Sequence, residues 1–264
     1  MGKQQSGELS GFVHLVERQI RLYEEKCKLA RQGLKERTSG PYRFITISRD
    51  IGALGDIVAS ELAACLKWKV YDKEIVDYIA RDAHVCTNLI DHLDERAQNL
   101  IRDTVERLLT MFVGQAFGNE EYRVALLKAL ATLAAQGKVI LLGHGGAFAL
   151  QEQPGLHVRI TASLPVRIER LSKRWGLSIE ETRRHVLGVD AERHNFIEHH
   201  FEVDREDVRF FHLVFNTDRF TADQVVTAIA AVMEESTRAD IPVPKPPVSE
   251  SIAFQSSEGV PKVP

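Results

Sequence analysis

Arg43-Phe-Ile-Thr-Ile-Ser-Arg-Asp-Ile-Gly-Ala-Leu-Gly-Asp-Ile-Val-Ala-Ser-Glu-Leu-Ala-Ala-Cys-Leu66 is the stretch on which the fold turns. A β-branched run from Phe44 to Ile47 leads into a turn carrying Gly52 and Gly55, and an apolar pattern of helical spacing follows. Strand, glycine turn and helix in that order outline a phosphate-binding loop. Glycine lets backbone N–H groups approach a phosphate chain, and the following helix presents the positive end of its dipole. The usual cation is missing: Asp56 and Ile57 stand where a lysine and a hydroxyl residue would follow Gly55.

Working outward, the alternation of elements defines the class. Trp68 to Tyr71 reads as a second strand ending in Asp72, Val139 to Leu142 as a third, His157 to Ile160 as a fourth and Phe210 to Phe215 as a fifth. Helical patterns lie between them, so the expectation is an α/β fold with a parallel sheet flanked by helices. The segment 88–137 reads as a helical insertion. It has amphipathic runs from Leu100 to Phe112 and from Tyr122 to Leu133, broken at Gly118-Asn119. Pro165 opens a helix that Gly176 closes; Ser178 and Glu181 form a capping box for a helix reaching Gly188, with a further helix beyond.

Outside the domain spanning 42–236, residues 1–8 and 240–264 have the composition of disordered tails. Over 9–38, Leu9, Val13, Val16, Ile20, Tyr23, Cys27, Ala30 and Leu34 recur at alternating steps of four and three. That seam suits a helix packed on its own domain or a homodimer through the N-terminal helix.

Composition narrows the function. The chain has 264 residues, 44% of them hydrophobic, enough for a sizeable core. Its net charge of -3 gives no general attraction to nucleic acid or anionic membrane, so anion binding must be local. Three cysteines without metal-ligand spacing argue against a disulfide framework and for a reducing, cytoplasmic setting; no apolar run is long enough to span a membrane. The histidines His194, His199, His200 and His212 lack the converging spacing of a metal site, and no metal ligands are assigned.

Several residues are placed for phosphate chemistry. Arg167, Arg170 and Arg174 fall at steps of three and four on one helix face, either a solvated basic surface or a set of guanidinium forks for phosphate oxygens. Asp190 and Arg193 follow nearby. Asp72 ends a strand, where open sheets bind ligands, and is equally suited to cap the next helix. Gly143-His144-Gly145-Gly146 is a second glycine turn at a strand end, fit for a ligand or simply for a tight turn.

From about Phe44 to Met233 the order of these fragments resembles the cytidylate kinase-like family of P-loop nucleoside monophosphate kinases. Tyr71-Asp72-Lys73-Glu74-Ile75 matches that family's Tyr-Asp-Lys-Glu-Ile, and Ser48-Arg49-Asp50 is similar to its Ser-Arg-Glu. Gly143 to Leu150, His157-Val158-Arg159, Arg167 to Arg170, Gly176-Leu177-Ser178, Asp190 with Arg193, and Asn216-Thr217 fall in family order. The resemblance implies a P-loop nucleoside triphosphate hydrolase-type fold and ATP with Mg²⁺. It also implies transfer of the γ-phosphoryl group to a nucleoside monophosphate, CMP being the acceptor it suggests. It implies further that Arg49 and the loop Gly52, Ala53, Leu54, Gly55, Asp56 and Ile57 bind the donor, and that Arg167, Arg170 and Arg174 act catalytically from lid-like helices over 163–202. Asp72, His144, Asp190 and Arg193 would line the acceptor site.

Two departures from the family stand out. Its loop reads Gly-Ser-Gly-Gly-Arg or Lys, against Gly52-Ala53-Leu54-Gly55-Asp56 here, and His144 replaces an arginine. At ~4 Å and an effective dielectric of about 20, one charge pair is worth roughly 4 kcal/mol, so the reversal at Asp56 bears directly on ATP affinity. Three functions follow as alternatives: a nucleotide kinase helped by Arg49, a catalytically weakened nucleotide- or anion-binding regulator, and a self-associating scaffold.

Overall fold

The structure, a computed structural model, describes residues 42–238 apart from 82, 92 and 112–119. The expected tails, the heptad segment 9–38 and the Gly118-Asn119 break lie outside the described residues. Phe44–Arg49 forms the central strand β1, whose first four residues are buried. Lys69–Tyr71 is β2, Val139–Leu142 β3, Gly155–Thr161 β4 and Leu213–Asn216 β5. They make one five-stranded sheet in the order β2-β3-β1-β4-β5, with every neighbouring pair parallel. The expected parallel sheet flanked by helices is therefore the fold.

Strand periodicity sends successive β1 side chains to opposite faces, and each face has its own core. Ile45 and Ile47 pack with Val58 and Leu62 of α1 (Gly55–Leu66) and with Val225 and Ile229 of α9 (Ala222–Arg238). Phe44 lies on the other side, with Leu126, Leu130 and Leu133 of α5 (Glu120–Gln136). The helices α2 (Lys73–Arg81), α3 (Ala83–Asp91) and α4 (Glu95–Met111) complete that layer, so the helices between β2 and β3 build a core wall. Gly155 opposes Phe44 in register, and a Cβ at Gly155 would overlap the Phe44 ring.

Beyond the short α6 (Gly146–Ala149), α7 (Leu164–Trp175) starts with Pro165 in its first turn and ends at Gly176, whose φ is 69°. Helix α8 (Ile179–Phe201) has the expected capping box: Ser178 Oγ accepts from the Glu181 N–H at 3.2 Å, and Glu181 Oε2 from the Ser178 N–H at 3.1 Å. Unlike the expected pair of helices, α8 runs unbroken through Gly188. A helical glycine costs only about 1 kcal/mol relative to alanine, and burial of Val186, Ile197 and Phe201 on either side outweighs it. The expected strand from Phe210 is also displaced. Val208–Phe210 is a 3₁₀ turn capped by the Asp207 carboxylate, and Phe210 and Phe211 pack edge-on against Phe148 instead of joining the sheet.

His157 makes a large contribution to the acid sensitivity of the fold. It is fully buried in β4, with Nδ1 2.8 Å from Thr46 Oγ1 and its ring stacked on His212 at 5.1 Å. Burial, reinforced by His212, pushes its pKa from 6.5 down to about 3. Unfolding therefore takes up a proton on this ring between those values. Its contribution is complete above about pH 6.5 and is lost as pH falls towards 3, at up to about 1.4 kcal/mol per pH unit. Urea unfolding between about pH 6.5 and 4.5 should show stability falling with acid, and His157→Gln should remove about that slope. An unchanged slope in the variant would assign the acid sensitivity elsewhere.

Candidate functional site

The carboxyl ends of β1, β3 and β4 meet beneath α8, and the site is built from there. Asp50, the first residue after β1, is 5% exposed. Its Oδ1 accepts from Arg159 Nη2 of β4 at 3.1 Å and from Arg205 Nη2 just beyond α8, and its Oδ2 accepts from Thr161 Oγ1 at 2.6 Å. Both arginines are equally buried. A carboxylate can be held this far from water only because charged donors replace its hydration. Arg205 also donates to the Asp190 carbonyl at 3.2 Å, tying α8 to the strand ends.

The glycine loop follows. Gly52 has a φ of 79°, and Leu54 occupies the left-handed region at 65°, a conformation that disfavours residues with a side chain. A Cβ on Gly52 would come within 2.8 Å of Leu171 Cδ1 and 3.1 Å of the Arg167 carbonyl, so this glycine is required for α7 to lie against the loop. Arg167 donates to the carbonyls of Ala162 at 3.0 Å and Ile51 at 3.3 Å, and pairs with Asp190 Oδ2 at 2.6 Å. Arg170 holds the Thr217 hydroxyl and carbonyl at 3.0 and 2.6 Å. These two arginines of the expected row brace the loop, and Arg174 is exposed.

Between the end of β1, α8 and the second glycine turn lies a cavity of about 320 Å³. Five basic side chains, Arg49, Lys73, Arg159, Arg193 and Arg205, line it with one carboxylate, Glu192. Phe148 and Phe196 supply aromatic surface. Arg49 pairs with Asp56 at 3.2 Å, and Arg193 donates to the Arg49 carbonyl at 3.0 Å. Burial, followed by the charge of Arg49, pulls the pKa of Arg193 down to about 10, so it stays charged at neutral pH. Such a lining suits an anion with more than one negative charge.

At the second turn Gly143, His144 and Gly145 all have positive φ, at 85°, 56° and 71°. This turn puts His144 in the cavity wall, stacked on Phe196 at 5.4 Å with Nε2 2.7 Å from Asp77 Oδ1. Burial lowers the pKa of His144 more than Asp77 raises it, which keeps the ring neutral at pH 7. Burial pushes the Asp77 carboxyl up, but the hydrogen bonds from Tyr122 and His144 outweigh it and hold it below the usual range.

Of the residues singled out from sequence, Arg49, His144 and Arg193 meet in the cavity wall. Asp190 stands behind it on Arg167, and Asp56 reaches its edge through Arg49. Ala53 is buried under the loop and Ile57 is 40% exposed. Asp72 caps α2, accepting from the Ile75 N–H at 3.1 Å, and its neighbour Lys73 enters the cavity instead. Asp50 and Arg159 fell within fragments that resemble the family but were given no role in the site, and Arg205 was not singled out. Asp50 is also marked by its position directly after a buried strand; nothing in the sequence around Arg205 marks that residue.

Residues 44–219 match the model of the cytidylate kinase-like family. Among curated proteins, the chain is 30% identical over 110 residues to a cytidylate kinase of Methanopyrus kandleri, covering 38% of this chain and 57% of that protein. It is 24% identical over 103 residues to the cytidylate kinase of Staphylothermus marinus, covering 39% of this chain and 58% of the relative. The similarity to the cytidylate kinase of Methanocaldococcus jannaschii is 24% over 154 residues, covering 57% and 83%. Among solved structures, an uncharacterized protein from Eubacterium ventriosum superposes with a TM-score of 0.57 at 17% identity, covering 73% of this chain and 98% of that one; this likeness speaks to fold alone.

Replacing Asp50 by Asn would remove the carboxylate that joins Arg159 to Arg205 and leave only the longer contacts to Glu206 at 3.6 Å and Asp190 at 3.9 Å. Breaking a buried ion pair from one side costs about 3–5 kcal/mol, and chemical denaturation of Asp50→Asn should show a loss of that order. A loss below about 1 kcal/mol would mean that the cluster is not what holds α8 to the strand ends.

Proposed function

Since this chain belongs to the cytidylate kinase-like family, we propose that it transfers the γ-phosphoryl group of ATP to a nucleoside monophosphate, CMP being the first acceptor to test. The observation carrying this reading is the cavity of about 320 Å³ at the strand ends, lined by five basic side chains, one of which, Arg49, also pairs with Asp56 of the glycine loop. Phosphoryl transfer asks a protein chiefly for alignment and for positive charge around the moving group. Arg193 and Lys73 are suited to grip the acceptor's phosphate, and Phe148 and Phe196 to hold an apolar ring face. The loop 51–57, with α1 behind it, would hold ATP. Gly52 and Gly55 let Leu171 and the Arg49 stem lie close against the loop, Arg49 offers a guanidinium beside it, and Arg174 extends the positive surface. Mg²⁺ bound with ATP would supply charge neutralisation at the phosphates, and the exposed Asp56 carboxylate is chemically compatible with a nearby cation.

A second reading, a nucleotide- or anion-binding regulator without turnover, is favoured by two features. Arg49 is already engaged by Asp56, and His144 is neutral. Incubation with ATP and Mg²⁺ and a panel of CMP, dCMP, UMP, AMP and GMP separates the two. Formation of one nucleoside diphosphate at ~1–100 s⁻¹ is the expected result, and folded protein that binds nucleotide but forms no diphosphate would establish the regulator. Arg193→Met should raise the acceptor KM about 10- to 100-fold, the worth of a charge-assisted hydrogen bond; an unchanged KM would remove Arg193 from the acceptor site.

A further inference from the structure

Arg49 is a closely confined cation at the cavity. Its stem passes Gly55, where an added Cβ would lie 2.5 Å from Arg49 Cβ, and its Nη1 lies where a Cβ on Gly143 would sit. Two glycines from separate loops thus form a slot that admits this side chain because neither has one of its own. Within the slot the guanidinium has a long contact to the Leu142 carbonyl at 3.4 Å and one carboxylate, Asp56, at 3.2 Å. The pair is unequal: the Arg49 side chain is 14% exposed and that of Asp56 is 68% exposed. Water can take back Asp56 at little cost, whereas Arg49 has nowhere else to go.

Asp56 also sits in the first turn of α1, where the helix end and the bare loop favour negative charge. Across the cavity, Arg193 is close enough to be disfavoured by the charge of Arg49. Two like charges therefore face a space in which the chain itself supplies an exposed, replaceable anion.

The geometry points to Asp56 as a built-in, displaceable counter-ion that occupies Arg49 until a polyphosphate takes its place on the guanidinium. This rests on the reading that the loop 51–57 meets the phosphates of a nucleotide. A carboxylate with one charge yields to a pyrophosphate group, which has more charge and offers Arg49 two oxygens in the plane of its fork. A monovalent anion gains too little from Arg49 to open the pair, so the pair sets a threshold that a phosphate chain passes. Asp56 on this account lowers the affinity of every anion that needs Arg49 by the cost of opening one contact.

Calorimetric titration with inorganic pyrophosphate, at fixed ionic strength and without metal, tests the assignment on the full chain. Asp56→Asn should bind pyrophosphate roughly 3- to 10-fold more tightly than the parent, and Arg49→Met at least about tenfold more weakly. In the Arg49→Met background, Asp56→Asn should bring no gain, because the two residues act through one contact. Arg49→Gln serves in the same cycle if Arg49→Met does not fold, as judged by circular dichroism. The assignment is overturned if Asp56→Asn binds no more tightly than the parent, if its gain persists without Arg49, or if pyrophosphate binds none of the proteins. Diphosphate formation by the parent with no gain in Asp56→Asn would remove the counter-ion and keep the kinase. A gain in Asp56→Asn without any diphosphate product would do the reverse.

Discussion

The Asp50 carboxylate is the constraint on which the cation arrangement depends. It draws Arg159 from the neighbouring strand and Arg205 from beyond α8 to one point at the end of the central strand. Removed from water, each of these ions is tolerable only in the presence of the others, so the arrangement is all-or-none. Arg205 passes the constraint on to the Asp190 carbonyl, Asp190 to Arg167, and Arg167 to the Ile51 carbonyl in the glycine loop. Strand end, α8 and loop are thereby fixed relative to one another by a single polar chain.

This connectivity divides the basic residues by role. Arg159, Arg167, Arg170 and Arg205 serve carboxylates and carbonyls of the protein, a use for which a planar fork with several donors is suited and a lysine ammonium is not. Arg193 holds a backbone carbonyl and faces the cavity alongside Lys73. His144 contributes shape and stacking, because burial leaves it uncharged. The positive character of the cavity is thus a residue of charge left after the architecture has been satisfied.

How much of this was legible in the sequence follows from range. The strand, glycine turn and helix around Gly52, the Pro165 start, the Gly176 stop and the Ser178 capping box are local, and spacing alone gave them. The parallel sheet followed from alternation of elements. Where local signals competed with packing, packing prevailed: Gly188 did not end α8, and Phe210 and Phe211 left the strand pattern for contacts with Phe148. The site was only partly visible, since Asp50 and Arg205 are separated by 155 positions and no periodicity says which charged residues will converge. Arg49, His144 and Arg193 were identifiable because they border glycine turns or share a helix with another charged residue.

The unbroken passage of α8 through Gly188 gives this helix a mechanical character. At about 1.5 Å per residue, its 23 residues make a rod of roughly 35 Å. The rod is pinned near the cavity by Arg167 on Asp190, by Arg193 on the Arg49 carbonyl and by Phe201 against Gly145. Its other end, at Ser178, follows Gly176, whose surroundings are open. Val186 packs on Ile168 and Leu171 of α7, so the two helices form one lever pinned at the cavity. A tilt of a few degrees at the cavity becomes a displacement of an ångström or more at the tip, and a body that grips the tip acquires the same advantage in reverse.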